Sequence, residues 1–248
     1  MEGVLVIVKF LGGGKSELWI SDIDGTHQAK LAASGGLVTG NWSPDSTQLT
    51  FVDGGNKAYV VRADGHRLRQ IERVEGEIGY IAWSADGKSL YLSTIVGQKR
   101  ITVWKSNADG SNVEKFVDDA FSVTDASRDG KFLLGCVNFG DEVGIYEISI
   151  TDKKRTALLP DVETQMVWFA HDGKSFVYGV ASPGKVTFYR QSWSEGKVIG
   201  KTQIALKLPF ALHLIHQGNG FDFARDLSTI VYARPGGQAD LYLLSSAP

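Results

Sequence analysis

At 248 residues the chain suits one large domain or two small ones, since all-β folds reach roughly 250 residues as a single domain. A composition of 43% hydrophobic and 22% charged residues supplies a core and excludes disorder, and 29 glycines against 6 prolines and 2 methionines favour tight turns over long helices. The net charge of −2 gives no electrostatic footprint for nucleic acid or an anionic membrane, and the lone Cys136 excludes an internal disulfide or a cysteine zinc cage.

The first apolar run, Val4–Phe10, is about half the length of a membrane-spanning helix. It has no basic flank and no small-residue cleavage site, so membrane insertion by this segment is not expected. A second strand-like run centres on Trp19, and Asp24-Gly25 follows it as a hairpin signal. From there a fixed set of features recurs. Trp42-Ser-Pro-Asp-Ser46 precedes the β-rich run Gln48–Val52, then Tyr59 and Asp64-Gly65. Trp83-Ser-Ala-Asp-Gly87 precedes Ser89–Leu92, then Trp104 and Asp109-Gly110. Ala126-Ser-Arg-Asp-Gly130 leads to Phe132–Leu134, Tyr146 and Asp152-Lys153. Phe169-Ala-His-Asp-Gly173 leads to Ser175–Tyr178, Tyr189 and Glu195-Gly196. Phe223-Ala-Arg-Asp-Leu227 leads to Thr229–Tyr232 and Tyr242.

The aspartates Asp45, Asp86, Asp129, Asp172 and Asp226 are spaced by 41, 43, 43 and 54 residues, and the aromatic column keeps nearly the same step. A period in this range with four short strands per unit is the signature of a β-propeller. Helical periodicity is not sustained anywhere, which argues against a parallel α/β sheet. The expected fold is all-β: a six-bladed propeller with four-stranded antiparallel blades, forming one domain over residues 1–248. The blades run approximately 1–34, 35–75, 76–118, 119–161, 162–207 and 208–248. With strands lettered A to D from the axis outward, the aspartate motif lies at the A–B turn and Asp-Gly at the C–D turn, both on one face. The B–C and D–A loops then form the opposite, binding face. The first blade lacks its A strand and the last its D strand. These ends imply residues missing upstream or an unusual closure, and Met1 is expected to mark a domain boundary.

The five aspartates are read as structural, each accepting backbone N–H groups of its own turn. Trp42, Trp83, Phe169 and Phe223, with Ala126 in the same column, and the six C-strand aromatics are expected to fill the wedge between blades. Ala126 and Leu227 depart from the pattern, so looser turns are expected in those two units. Gly14-Lys15-Ser16, Gly87-Lys88-Ser89 and Gly173-Lys174-Ser175 resemble the end of a phosphate-binding loop, but its first glycine is replaced by Lys9, Ala82 and Trp168. No nucleophile elbow or zinc helix is present. About eleven extra residues near Lys207–Gly220 form the D–A loop into the sixth blade. Phe210, His213, His216 and Gln217 then belong to a recognition surface, or Leu208, Phe210, Leu212 and Ile215 plug the channel; a metal pair His213–His216 is a third reading. Lys99, Arg100, Asp141 and Glu142 on the B–C loops complete the candidate contacts.

These registers resemble the TolB-type β-propellers, whose blades carry W-S-P-D-G at one turn and D-G at another. The final segment, Arg225–Leu244, is similar to the C-terminal end of propellers attached to bacterial receptor-type serine/threonine kinases. The resemblance implies a non-catalytic sensory or scaffolding module of a bacterial signalling protein. It would bind a protein or peptide, need no cofactor or metal, and belong to the periplasmic, extracytoplasmic or cytoplasmic part of a membrane-associated protein. The rival class is a propeller lyase or lactonase with a channel metal, for which Asn41, Asp125, Gln165 and Asp222 are the nearest ligands.

Overall fold

A computed structural model describes residues 4–22, 24–35, 41–97, 100–138, 142–208, 221–223, 227–233 and 241–245. All regular elements among them are β-strands, and every strand pair is antiparallel. The chain divides into two compact units, Met1–Ala120 and Phe121–Pro248.

The first unit holds three sheets. The first sheet comprises β1 (Val4–Gly12), β2 (Lys15–Asp22) and β3 (Ala29–Gly35) in that spatial order. The second comprises β4 (Gln48–Val52), β5 (Ala58–Arg62) and β6 (Arg69–Gln70). On its inner side the described residues form an isolated bridge, Trp42 to Leu49. The third is a full four-stranded meander of β7 (Glu77–Trp83), β8 (Ser89–Val96), β9 (Arg100–Asn107) and β10 (Glu114–Val117). Apolar side chains of successive sheets pack face to face: Leu18, Ile20 and Leu31 meet Leu49, Phe51 and Val61, and Val60 and Ile71 meet Ile81, Trp83 and Leu92. The Trp83 indole N–H also donates to the Asn41 carbonyl at 2.9 Å.

The second unit repeats the plan. Its fourth sheet comprises β11 (Ser122–Ala126), β12 (Phe132–Val137), β13 (Gly144–Ser149) and β14 (Arg155–Pro160). The fifth comprises β15 (Met166–Phe169), β16 (Ser175–Ser182), β17 (Lys185–Ser194) and β18 (Lys197–Leu208), and the sixth β19 (Phe221–Phe223), β20 (Thr229–Ala233) and β21 (Leu241–Ser245). Leu134, Ile145 and Leu158 pack against Val167, Phe169, Phe176 and Trp193. Four-strandedness is thus seen in three sheets; the other three have three named strands among the described residues.

The repeated aspartate explains why every unit turns at the same place. Asp86 Oδ1 accepts the Ser84 hydroxyl at 2.7 Å and the Lys88 N–H at 3.1 Å. Asp45 and Asp129 make the equivalent bonds with Ser43 and Thr47, and with Ser127 and Lys131. The same serines accept an N–H five residues on, at Gln48, Ser89 and Phe132. Where Ala170 replaces the serine, Asp172 takes the Ser175 N–H itself, at 3.0 Å, along with Lys174 N–H at 2.8 Å. Asp226 lies outside the described residues. The residue after each aspartate has positive φ: Ser46, Gly87, Gly130, Gly173 and Leu227 at 57°, 68°, 71°, 62° and 62°. Glycine adopts this region without strain, so Ser46 and Leu227 hold it against their side-chain preference.

The looser turn expected for the Ala126 unit is not found, and in the Leu227 unit residues 224–226 of the turn lie outside the described residues. Asp129 keeps its full set of bonds beside Ala126. Leu227 keeps the left-handed conformation, and its side chain packs beside the Met166 and Phe188 core.

The A–B and C–D turns are then joined. Ala63, Ala108, Ile150 and Trp193 donate their N–H groups to the carbonyls of Thr47, Lys88, Lys131 and Lys174. Both turns therefore lie at one end of each sheet, and the B–C and D–A connections lie at the other.

Hydroxyl and N–H donors hold these carboxyls below the ordinary value of 3.8: Ser43 and then Thr47 for Asp45, Ser84 and then Lys88 for Asp86. Burial works in the opposite direction at Asp129 and Asp172, but the donors outweigh it. A carboxyl lowered in the folded state stabilises above its unfolded value, and that stabilisation disappears as pH falls through the folded value. Urea denaturation should accordingly show stability falling below about pH 4. Asp86→Ala should cost about 1–2 kcal/mol at pH 7; an unchanged melting temperature would contradict this role.

Glu147 has the opposite sign. It is buried, and the Trp193 indole N–H donates to it at 2.6 Å across from β17 to β13. Burial raises its carboxyl above the usual value despite that bond. Its contribution to stability is full below the unfolded value and is lost as pH rises through the folded one. Glu147→Gln should therefore gain stability relative to the parent as pH rises from 4 to 8 in the same urea assay, roughly over the range where a raised carboxyl ionises. A pH-independent difference would contradict it.

Candidate functional site

The turn end of the sheets is occupied by hydrogen bonds that each blade needs, so a site is expected at the other end. In the second unit that end contains a cleft of about 530 Å³. One wall is the connection from β14 to β15. It begins at Asp161, whose φ of 62° turns the chain and whose N–H bonds the Val143 carbonyl at 2.9 Å. It is anchored at Thr164, where the buried hydroxyl donates to the Gly179 carbonyl at 2.6 Å and accepts the Met166 N–H at 3.0 Å. Asp161, Val162, Glu163, Thr164 and Gln165 all line the cleft.

The facing wall is made by β16 and β17. Tyr178 and Tyr189 are directly opposite in register, and their rings stack at 5.3 Å with planes 22° apart. Burial pushes the Tyr178 phenol above its usual value, with the Thr202 hydroxyl acting the other way. The phenol therefore stays neutral at pH 7. Gly179 beside them is packed tightly against the core, since a Cβ there would lie 2.5 Å from Met166 Cε and 2.9 Å from Phe188 Cε1. Asn138, after β12, completes the polar rim.

The sequence placed Gln165 near a site but assigned Tyr189 to the wedge between blades. That packing is found, since Tyr189 lies against the cluster of Leu134, Val167, Phe169 and Phe176 between the fourth and fifth sheets, and its ring also borders the cleft. Among the described C-strand side chains Tyr146 is buried, and Trp19, Tyr59, Trp104 and Tyr189 are half-buried. Three carry a cation over the ring: Lys9 lies 3.8 Å from the Trp19 centroid, Lys115 5.5 Å from that of Trp104, and the Arg155 guanidinium 4.1 Å from that of Tyr146. In the A-strand column Trp83, Ala126 and Phe169 are buried and Trp42 is half-buried against the cluster of the first two sheets, while the side chain of Phe223 is outside the described set. Asn138, Asp161, Glu163 and Thr164 stand in no repeated or motif position and Tyr178 lies in a repeated strand run, so none of the five is marked by the sequence as a cleft residue.

Of the candidate contacts, Arg100 and Glu142 are described. Arg100 opens β9 in the first unit and is exposed. Glu142 belongs to the second unit and pairs with Arg155 at 2.9 Å, while its carbonyl accepts the Tyr146 hydroxyl at 3.1 Å. Neither lines the cleft. Lys99, Asp141, Phe210, His213, His216 and Gln217 lie outside the described residues. The expected loop starts later than its sequence indicates: Lys207 and Leu208 end β18 opposite Thr187 and Val186, and Leu208 is buried against Met166, Trp168 and Phe188. Strand pairing thus removes Leu208 from any plug.

The residues offered as metal ligands are committed elsewhere. The Asn41 amide donates to the Ile81 carbonyl at 2.5 Å, and Asp125 accepts the Phe169 N–H at 2.9 Å from the neighbouring sheet. The side chain of Asp222 is outside the described set. Among the described residues no three His, Cys, Asp or Glu side chains group together. Cys136 is buried, which pushes its thiol up to about 12 and keeps it from acting as a nucleophile.

No protein-family model matches the chain. No curated protein matches it either. Solved structures do match. TolB from Acinetobacter baumannii superposes with a TM-score of 0.73 at 18% identity, over 98% of this chain and 60% of that one. The fold is that of a TolB-like β-propeller. A putative TolB from Agrobacterium tumefaciens gives 0.66 at 14% identity, over 94% of this chain and 86% of the other. An oligogalacturonate lyase in complex with manganese gives 0.64 at 13%, over 98% and 71%. The chain thus spans 60% of the length of the Acinetobacter TolB, and at these identities the likeness bears on the fold alone.

Proposed function

We propose that this chain is a non-catalytic binding propeller that recognises a protein or peptide. The cleft between the β14–β15 connection and the Tyr178–Tyr189 pair carries this reading. It is a preformed concavity with one aromatic wall and a polar wall facing it, a usual form of a recognition site. It also lies at the sheet end where loops are free to vary. On this reading the six sheets are blades of one propeller domain over residues 1–248, in keeping with the repeat of roughly 41 residues. Further contacts come from loop-end residues of each unit: Lys99 and Arg100 in the first, and Asp141, Glu142, Phe210, His213, His216 and Gln217 in the second. A sensory or scaffolding role in a kinase-linked bacterial signalling protein rests on the resemblance of Arg225–Leu244.

Selection from a displayed random-peptide library tests the proposal. Enriched peptides should bind the parent chain and lose at least about tenfold in affinity with Tyr189→Ala or Gln165→Ala. Failure to enrich any sequence, or binding indifferent to both substitutions, would contradict it.

The manganese complex of the lyase neighbour favours one second reading, a metal-dependent propeller enzyme. A thermal-shift series with Mn²⁺, Ca²⁺ and Zn²⁺ separates the two. The binding module should show no saturable shift, whereas stabilisation that rises as RT ln(1 + [L]/Kd) would support the metalloenzyme.

A further inference from the structure

We propose that the cleft takes a cationic side chain, an arginine or lysine presented by the bound peptide; this rests on the peptide-binding reading above. The first observation is charge. Asp161 and Glu163 line the cleft, are exposed, and have no cationic partner among the described residues. None of the residues lining the cleft is Lys, Arg or His.

The second observation is the internal comparison between sheets. In three of the five sheets whose C-strand aromatic side chain is described, that ring is covered by a cation from a neighbouring strand, Lys9, Lys115 or Arg155. In the second sheet, by contrast, Tyr59, opposite Gln70, stacks on Phe51. The third sheet covers its ring by placing Lys115 directly opposite Trp104. In the fifth sheet the residue opposite Tyr189 is Ile204, so no cation of β18 stands where Lys115 stands. Tyr189 instead stacks on Tyr178 and borders the cleft beside the two carboxylates. A cation is attracted by the face of an aromatic ring and by a carboxylate alike. The fifth sheet shares this uncovered ring with the second, but here the ring borders a cleft that also holds Asp161 and Glu163, so ring and carboxylates converge where a ligand's cation would sit. Val162 and Val180 would pack along the methylene stem of such a side chain.

The test is a titration of the isotope-labelled chain, followed by amide chemical shifts, with three blocked tripeptides: Gly-Arg-Gly, its citrulline isostere, and Gly-Glu-Gly. The arginine peptide should shift the amides of Thr164, Gln165, Gly179 and Tyr189, and bind at least about tenfold more tightly than the citrulline peptide at low salt. The double substitution Asp161→Asn with Glu163→Gln should remove most of that preference. Asn suits Asp161 because it tolerates positive φ. Tyr189→Leu should weaken the arginine peptide severalfold while keeping the apolar surface. If the citrulline or glutamate peptide shifts the cleft as strongly as arginine does, the cationic preference is wrong and the peptide-binding reading stands. If no tripeptide shifts the cleft and library-selected peptides map elsewhere, both are wrong. The arginine–citrulline comparison uses the parent chain, so it decides the preference even if a variant fails to fold.

Discussion

The structure depends on a carboxylate folded back onto its own turn. In the A–B hairpin the aspartate side chain supplies an acceptor that the backbone of a tight turn does not have, and it takes the N–H two residues on. The strand that follows is thereby aimed antiparallel to the one before, with the correct face toward the core. The carbonyl of the residue two after that aspartate is then free to accept the N–H at the end of the C strand. One short polar side chain per unit thus couples two hairpins and sets the register of three strands. The apolar layers of Leu, Ile, Val and aromatic residues pack only because that register is kept.

Such a design divides each sheet into an end that cannot change and an end that can. Replacement of a turn aspartate leaves unpaired N–H groups, so little variation is tolerated there. At the far end one backbone bond recurs, from the N–H groups of Ile71, Ala120 and Asp161 to the carbonyls of Ala58, Ile101 and Val143, while the residue types of these connections differ from unit to unit. The β14–β15 connection keeps that bond and adds Thr164 as its anchor. The cleft is the product of that local departure combined with an ordinary blade position, Tyr189. Recognition in this chain is best sought where one unit breaks a rule that its neighbours obey.

The repeat made the strand order and the turn positions legible from residues alone, because Asp and Gly act within a few positions of themselves. Even the replacement of serine by Ala170 is compensated locally, by Asp172 and Ser175. The cleft was not legible for the opposite reason. Asp161 and Tyr189 are 28 positions apart in the sequence, and no motif links them; only the packing of sheet four on sheet five brings their segments together. Tyr189 packs between two sheets as its column implies, and its second role at the cleft was not legible because it depends on whether the opposite strand offers Lys115 or Ile204. Sequence periodicity reports what all units share and is silent on which copy has been put to another use.

The central claim is that the turn carboxylates hold the paired hairpins together, and amide hydrogen exchange tests it most directly. In the parent chain the N–H groups of Ala108, Ile150 and Trp193, which join the two turns, should exchange slowly at neutral pH. In Asp86→Ala the Ala108 amide should lose its protection while Ile150 and Trp193 keep theirs. Rapid exchange of all three in the parent, or unchanged protection of Ala108 in the variant, would contradict the claim.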